Sequence, residues 1–190
     1  MNKREMKKLE ILTIAEELLA KQGSANFSVR EVAKKCGHSL SSIQYYFPTL
    51  TDLLAAMFDK SMDDAITRFN ALKQEDNNQL EVLVNMIVDG LDHASICKLA
   101  CEIWTTNDES GENPGQKALL SFYSRYIEEM SNIIKQKIPY TNESELKQKV
   151  VMIIALFEGL LVIYPLGKNN FIDFDLKEKV LNTVKLIINT

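Results

Sequence analysis

The sequence predicts an all-α protein of about nine helices, a three-helix unit followed by a larger helical bundle. Three observations carry this. Apolar residues recur at three- and four-residue spacing through most of the chain, the period that gives a helix one apolar stripe. Gly and Pro (7 and 4 of 190 residues) gather at joints rather than inside those periodic runs. Serine or threonine stands just before several short runs, where a side-chain oxygen can satisfy first-turn amides.

The first helix is expected from about Arg4 to Lys21, with Leu9, Leu12, Ile14, Ala15, Leu18 and Leu19 on one stripe and Gly23 as its C-cap. Ser28-Val29-Arg30-Glu31 has the form of a capping box, with Phe27 at the staple position. The short helix it opens, with Val32 and Ala33 inward, stops at Gly37. Ser39 then caps a third helix ending at Phe47, before Pro48. Thr49 or Thr51 caps a long fourth helix, about 52 to 73, with Leu53, Leu54, Met57, Phe58, Met62 and Ile66 inward. A polar joint at 74–78 leads to helices at about 79–93 and 95–106. The stretch DESGENP, 108–114, is the clearest loop. Helices at about 115–138, 142–164 and 175–188 follow, the first stopped by Pro139 and the second by Pro165 and Gly167.

The net charge of −4 argues against a protein that coats nucleic acid indiscriminately. Residues 1–55 carry eight Lys/Arg against six Asp/Glu, or +2, and the remaining 14 basic and 20 acidic residues give −6. That asymmetry fits an anion-binding head on an acidic body. The most apolar stretch, 150–166, is interrupted by Glu158 and Gly159 and ends at Pro165, so no membrane span is expected. The basic N-terminus leads into an amphipathic pattern rather than a signal-peptide core, which points to the cytoplasm. Cys36, Cys97 and Cys101 lack zinc-finger spacing and suit free buried thiols in a reducing compartment. No G-x-S-x-G, phosphate loop or HExxH motif is present, and the histidines are only two, so an enzyme is not expected.

Two short serine-capped helices around a Gly-containing turn form a helix-turn-helix unit. Ile43 and Phe47, spaced i, i+4, anchor the second helix. Its other face carries Leu40, Ser41, Gln44 and Tyr45. Short hydroxyls let such a helix sit deep in a major groove, Gln44 suits adenine or phosphate, and tyrosine hydroxyls suit phosphate oxygens. Amides after Ser28 and after Thr49 or Thr51 add donors for phosphate without any lysine.

The stretch FSVREVAKKCGHSLSSIQYYFPTLTDLL, with the helix before it, resembles the TetR family of bacterial transcriptional regulators over residues 7–54. The likeness includes the position of Gly37, the serine opening the recognition helix, the Tyr-Phe end and Leu53-Leu54. It implies a DNA-binding domain over residues 1–50 and a ligand-binding and dimerisation domain over 51–190. By position, Arg30, Leu40, Ser41, Ser42, Gln44, Tyr45 and Tyr46 become groove and backbone contacts. Ser39 opens the recognition helix, and Ser28, Thr49 and Thr51 cap helices against phosphates. Two positions depart from the family pattern: Gln44 stands where many relatives have tyrosine, and Leu50 where relatives usually place a phosphate-binding lysine.

The same resemblance implies a homodimer through the last two long helices, a palindromic operator in double-stranded DNA, and repression relieved by a small-molecule effector. VVMIIALFEGLLVIY, apolar almost all round, wants both a core and a partner. The implied effector pocket draws on Met86, His93, Trp104, Phe122, Tyr123, Tyr126, Phe157 and Glu158, and the aromatic run Tyr123–Tyr126 resembles the branch of choline-responsive repressors. An effector-independent regulator is the alternative. His93, Cys97 and Cys101 would align on one unbroken helix, but they would span about 12 Å at 1.5 Å per residue, too far for one ion. A metal or redox sensor would therefore need Cys97 and Cys101 with an outside ligand. No cofactor and no metal site is expected.

Overall fold

The computed structural model describes residues 2–23, 26–73, 78–93, 95–105, 114–138, 141–170 and 172–190, apart from the side chains of residues 93, 102, 104, 105 and 114. Within them the chain is all-α, with no strand. The helices are α1 (Lys3–Gln22), α2 (Val29–Lys35), α3 (Leu40–Tyr46), α4 (Leu50–Leu72) and α5 (Gln79–Gly90), then a 3-10 turn (Leu91–His93), α6 (Ser95–Thr105), α7 (Pro114–Lys135), α8 (Glu143–Gly167) and α9 (Leu176–Asn189). Most of the expected joint at 74–78, nearly all of the loop at 108–114 and the stop at Pro139 lie outside the described residues.

The chain forms two compact units, one of residues 1–63 and 95–122, the other of 64–94 and 123–190. In the first, α1 buries Ile11, Leu12, Ala15, Leu18 and Leu19. The expected stripe was slightly misplaced. Leu9 is 40% exposed and Ile14 half-buried, because each lies roughly 100–120° from the stripe's centre at 100° per residue. Val32, Ala33, Ile43, Phe47, Leu53, Leu54, Met57 and Phe58 are buried, as the spacing predicts. Lys60 Nζ pairs with Glu16 Oε2 at 3.0 Å, joining α4 to α1.

In the second unit, one apolar core draws on α5, α7, α8 and α9, with Val84, Ile134, Val150, Ile153 and Val184 fully buried. Among the described residues Lys149, 9% exposed, is the charged one in this interior. Its Nζ donates to the Ile188 carbonyl at 3.0 Å, near the end of α9, and lies 3.3 Å from Glu145 Oε1. An ammonium there meets the negative end of the helix dipole. Near the other end of α9, Lys177 pairs with Asp89 at 2.7 Å. Lys168 pairs with Asp92, whose hydrogen bond and charge raise the lysine's pKa.

Two expectations for α8 are corrected. Pro165 does not end the helix, which continues to Gly167. In the last turn proline removes a single backbone donor, and its ring meets the preceding turn without breaking it. And α8 does contain a stretch long and apolar enough, by length and composition, to cross a membrane. One charge within such a window does not offset so many aliphatic neighbours. Its inner face, with Ile153, Ile154 and Phe157, packs into the core of this unit.

Candidate nucleic-acid interface

The turn that aims α3 is set by backbone hydrogen bonds. Ser28 Oγ accepts from the Glu31 amide at 3.2 Å and opens α2. The reciprocal bond from the Glu31 side chain does not form among the described residues, so only half of the expected capping box exists. The full box stands instead at Asn2, whose Oδ1 accepts from the Arg4 and Glu5 amides while Glu5 accepts from the Asn2 amide. At the end of α2, Gly37 N donates to Lys34 O and His38 N to Ala33 O, a Schellman turn. Gly37 has φ +68°, which a side chain would strain.

Ser39 then caps α3, accepting from the Ser42 amide at 3.2 Å, and its hydroxyl lies 3.0 and 2.8 Å from those of Ser41 and Ser42. Thr49, not Thr51, caps α4. Its Oγ1 accepts from the Asp52 amide at 3.1 Å, and Asp52 Oδ2 accepts from the Thr49 amide at 2.9 Å. Thr51 is half-buried inside the first turn.

With Ile43 and Phe47 buried at 0% and 2%, helical geometry turns the opposite face of α3 outward. Ser39, Ser41, Ser42, Gln44 and Tyr45 are exposed, Tyr45 at 67%, while Leu40 and Tyr46 are half-buried. Tyr45 and Tyr46 meet edge to face, centroids 5.1 Å apart. Arg30 is exposed on α2, and Leu50 opens α4 exposed and uncharged.

Sequence reasoning missed the cations of α1. Arg4 lies over the Tyr45 ring, 5.6 Å from its centroid, and Lys8 over Phe47 at 5.7 Å. Lys7 bonds both carboxylate oxygens of Glu10 at 2.8 Å. It also lines a groove of about 390 Å³ with His38, Ser41, Ser42, Tyr45 and Tyr46, above the buried Ile11 and Ile43. The available signal was the α1 stripe itself. Extended one and two turns back from Ile11, it lands on Lys8 and Arg4. His38 Nε2 is buried without a hydrogen-bond partner. Cys36 is half-buried rather than buried, and its pKa is raised, first by burial and then by Glu10, with Lys7 opposing.

The candidate effector residues divide between the units. Phe122 is buried in the first, its ring 5.2 Å from Phe58. In the second, Phe157 is part of the core, with Met86, Tyr123 and Tyr126 packed against it, and Glu158 is half-buried. The side chains of His93 and Trp104 lie outside the described residues. His93 belongs to the 3-10 turn and α6 begins at Ser95, so the three-residue alignment with Cys97 and Cys101 does not arise. Those two cysteines are half-buried and not disulfide-bonded. Among the described residues no cluster of three metal-ligating side chains occurs.

The profile of the bacterial regulatory proteins, tetR family, matches residues 11–57, from α1 through the helix-turn-helix into α4. An uncharacterized HTH-type transcriptional regulator in the dhlA 5′ region of Xanthobacter autotrophicus is 25% identical over 168 residues, covering 84% of this chain and 80% of that one. Residues 11–57 therefore carry the N-terminal domain of the TetR-family regulators. Solved structures agree in fold. A TetR-family assignment from Rhodococcus sp. superposes with a TM-score of 0.77 at 16% identity, covering 97% of this chain and 99% of that one. A structure from Saccharomonospora viridis, in complex with choline, gives 0.66 at 21% identity and covers 97% and 96%. The matched stretch is the helix-turn-helix of these DNA-binding transcriptional regulators. The TetR-family profile begins after Arg4, Lys7 and Lys8.

Proposed function

We propose that this protein is a cytoplasmic, homodimeric repressor that binds a palindromic DNA operator and is released by a small-molecule effector. The observation that carries the reading is the two-sided character of α3. Its apolar anchors are sealed, while Ser41, Gln44 and Tyr45 project where base edges and phosphates would lie. Residues 1–50 then form the DNA-binding domain, with Ser28, Arg30, Ser39, Leu40, Ser42, Tyr46, Thr49 and Thr51 as further contacts, and residues 51–190 the effector and dimer domain.

The dimer is supported by α8 and α9. Met152, Val162, Ile163 and Leu166 of α8 and Leu186 of α9 are large apolar side chains left exposed at 49–68%. Gly159 has open space where a side chain would stand, which suits close approach of a partner helix. A two-fold axis would set two copies of α3 about 34 Å apart, one DNA turn, and so require a palindrome. Effector release is supported by the choline held by the Saccharomonospora viridis structure, to which this chain is similar in fold.

Selection of bound fragments from random DNA tests the reading. Enrichment of a palindrome, abolished by Gln44→Ala with Tyr45→Ala, is the expected result. A library left unenriched at low salt sinks it. A thermal-shift series with choline and other small molecules then separates an effector-responsive regulator from a constitutive one.

A further inference from the structure

Helix α3 has no charged residue along its whole length, and the first residue of α4 is Leu50. A helix that approaches a polyanion needs cations from elsewhere, because phosphate neutralisation supplies most of the sequence-independent affinity. The structure brings them from α1. Arg4, Lys8, Ile11 and Ala15 are spaced i, i+4, i+7, i+11 and so share one helix face. Ile11 and Ala15 are 1% and 0% exposed, which fixes the direction of that face into the unit. Its continuation therefore carries the two cations against the exposed end of α3, where Arg4 meets Tyr45 and Lys8 meets Phe47. The capping box at Asn2 holds the first turn that presents Arg4.

A ring attracts a cation through its π face and consumes none of its N–H donors. The five donors of the Arg4 guanidinium and the three of the Lys8 ammonium thus stay available to phosphate oxygens while their positions are restrained. Beside them runs the groove lined by Lys7, His38, Ser41 and Ser42, where Lys7 is already engaged by Glu10.

We propose that Arg4 and Lys8 form a backbone-phosphate clamp on the flank of α3, gripping the DNA strand while Gln44 and Tyr45 face the base edges. This rests on the reading of α3 as the DNA-contacting helix.

The test uses the full chain and two duplexes of equal length and composition, one enriched from random DNA by the wild-type protein and one shuffled. Binding is followed by fluorescence anisotropy across a salt series. Arg4→Ala and Lys8→Ala should each weaken binding to both duplexes roughly tenfold at 0.1 M salt. Each should lower the slope of log affinity against log salt by about 0.9 per bound subunit, and neither should change the preference between duplexes. Arg4→Gln repeats the measurement with a bulkier neutral side chain, and circular dichroism checks folding of all variants. Lys21→Ala removes the same charge from the far end of α1, roughly 25 Å away at 1.5 Å per residue, and should keep the wild-type slope. Wild-type affinity and slope in the Arg4 and Lys8 variants overturn the clamp and leave the DNA-binding reading intact. A loss confined to the enriched duplex also overturns it, since that is base readout. If the wild type enriches no duplex, the underlying reading falls and the clamp with it.

Discussion

Helices α3 and α8 both leave one face uncovered, and the two faces have opposite chemistry. α3 shows water two serine hydroxyls, an amide and a tyrosine, all of which water solvates well. α8 shows it Met152, Val162, Ile163 and Leu166, and only 28% of its most apolar stretch is buried within the chain. Covering a side chain of that size is worth about 1.5–3 kcal/mol. The first face can stay bare between encounters, which suits a partner that comes and goes. The second is costly bare, which suits a partner present for the life of the fold. The proposed dimeric, DNA-binding regulator needs one surface of each kind.

The largest expected effect comes from breaking the apolar face. Ile163→Glu with Leu166→Glu would bury two unpaired charges in the proposed interface, each costing several kcal/mol. Light scattering should then give the mass of one chain, with helicity by circular dichroism unchanged. A dimer that survives both charges means that α8 is not the contact. Next is the polar face. Gln44→Ala should remove about 1–3 kcal/mol of discrimination between an enriched and a shuffled duplex, with little change on the shuffled one. An equal loss on both would make Gln44 a phosphate ligand rather than a base reader, and would merge its role with that assigned to Arg4.

The inner side of α8 sharpens the comparison from within. Lys149 joins α8 to the last turn of α9 through a nearly buried charge-assisted hydrogen bond. Lys149→Met keeps the length and apolar stem but leaves the Ile188 carbonyl without its donor. A loss of about 1–2 kcal/mol is expected, seen as a lower urea midpoint at constant slope. No loss would mean that packing of the aliphatic stem, not the ammonium, is what the core uses.

Local features were legible in the sequence and long-range ones were not. The helices of the described residues, the apolar spacing of Ile43 and Phe47, the caps at Ser28 and Ser39 and the turn at Gly37 depend on residues within four or five positions of one another, so spacing alone reveals them. The exposed stripe of α8 was half legible. Its composition asked for more cover than one chain supplies, but which residues would face out depended on where α5, α7 and α9 pack. Arg4 above Tyr45 and Lys149 beneath Ile188 bring together residues about forty positions apart, and no local pattern announces such a pair. The N-cap of α4 was ambiguous because Thr49 and Thr51 are chemically alike. What decided it was Asp52, three residues after Thr49, whose carboxylate completes the reciprocal pair.

The smallest effect is the most specific to α3. Ser39 does two things at once: it caps the helix through the Ser42 amide, and its hydroxyl gathers those of Ser41 and Ser42. Loss of an N-cap to alanine costs about 1 kcal/mol, and to glycine only a few tenths. Ser39→Ala should therefore lower stability measurably, and Ser39→Gly much less. Both substitutions release the Ser41 and Ser42 hydroxyls equally. If operator affinity follows stability, falling in the alanine variant and not in the glycine one, the cap acts by holding α3 in place. If affinity changes alike in both, the hydroxyl cluster matters in its own right, as a set of donors pre-oriented for DNA. α8 has a counterpart cap, Asn142 accepting from the Glu145 amide at 2.9 Å, but carries a long core face as well. Asn142→Ala should accordingly leave oligomeric state untouched, because a helix of 25 residues packed along its length does not depend on its first turn, whereas one of 7 does.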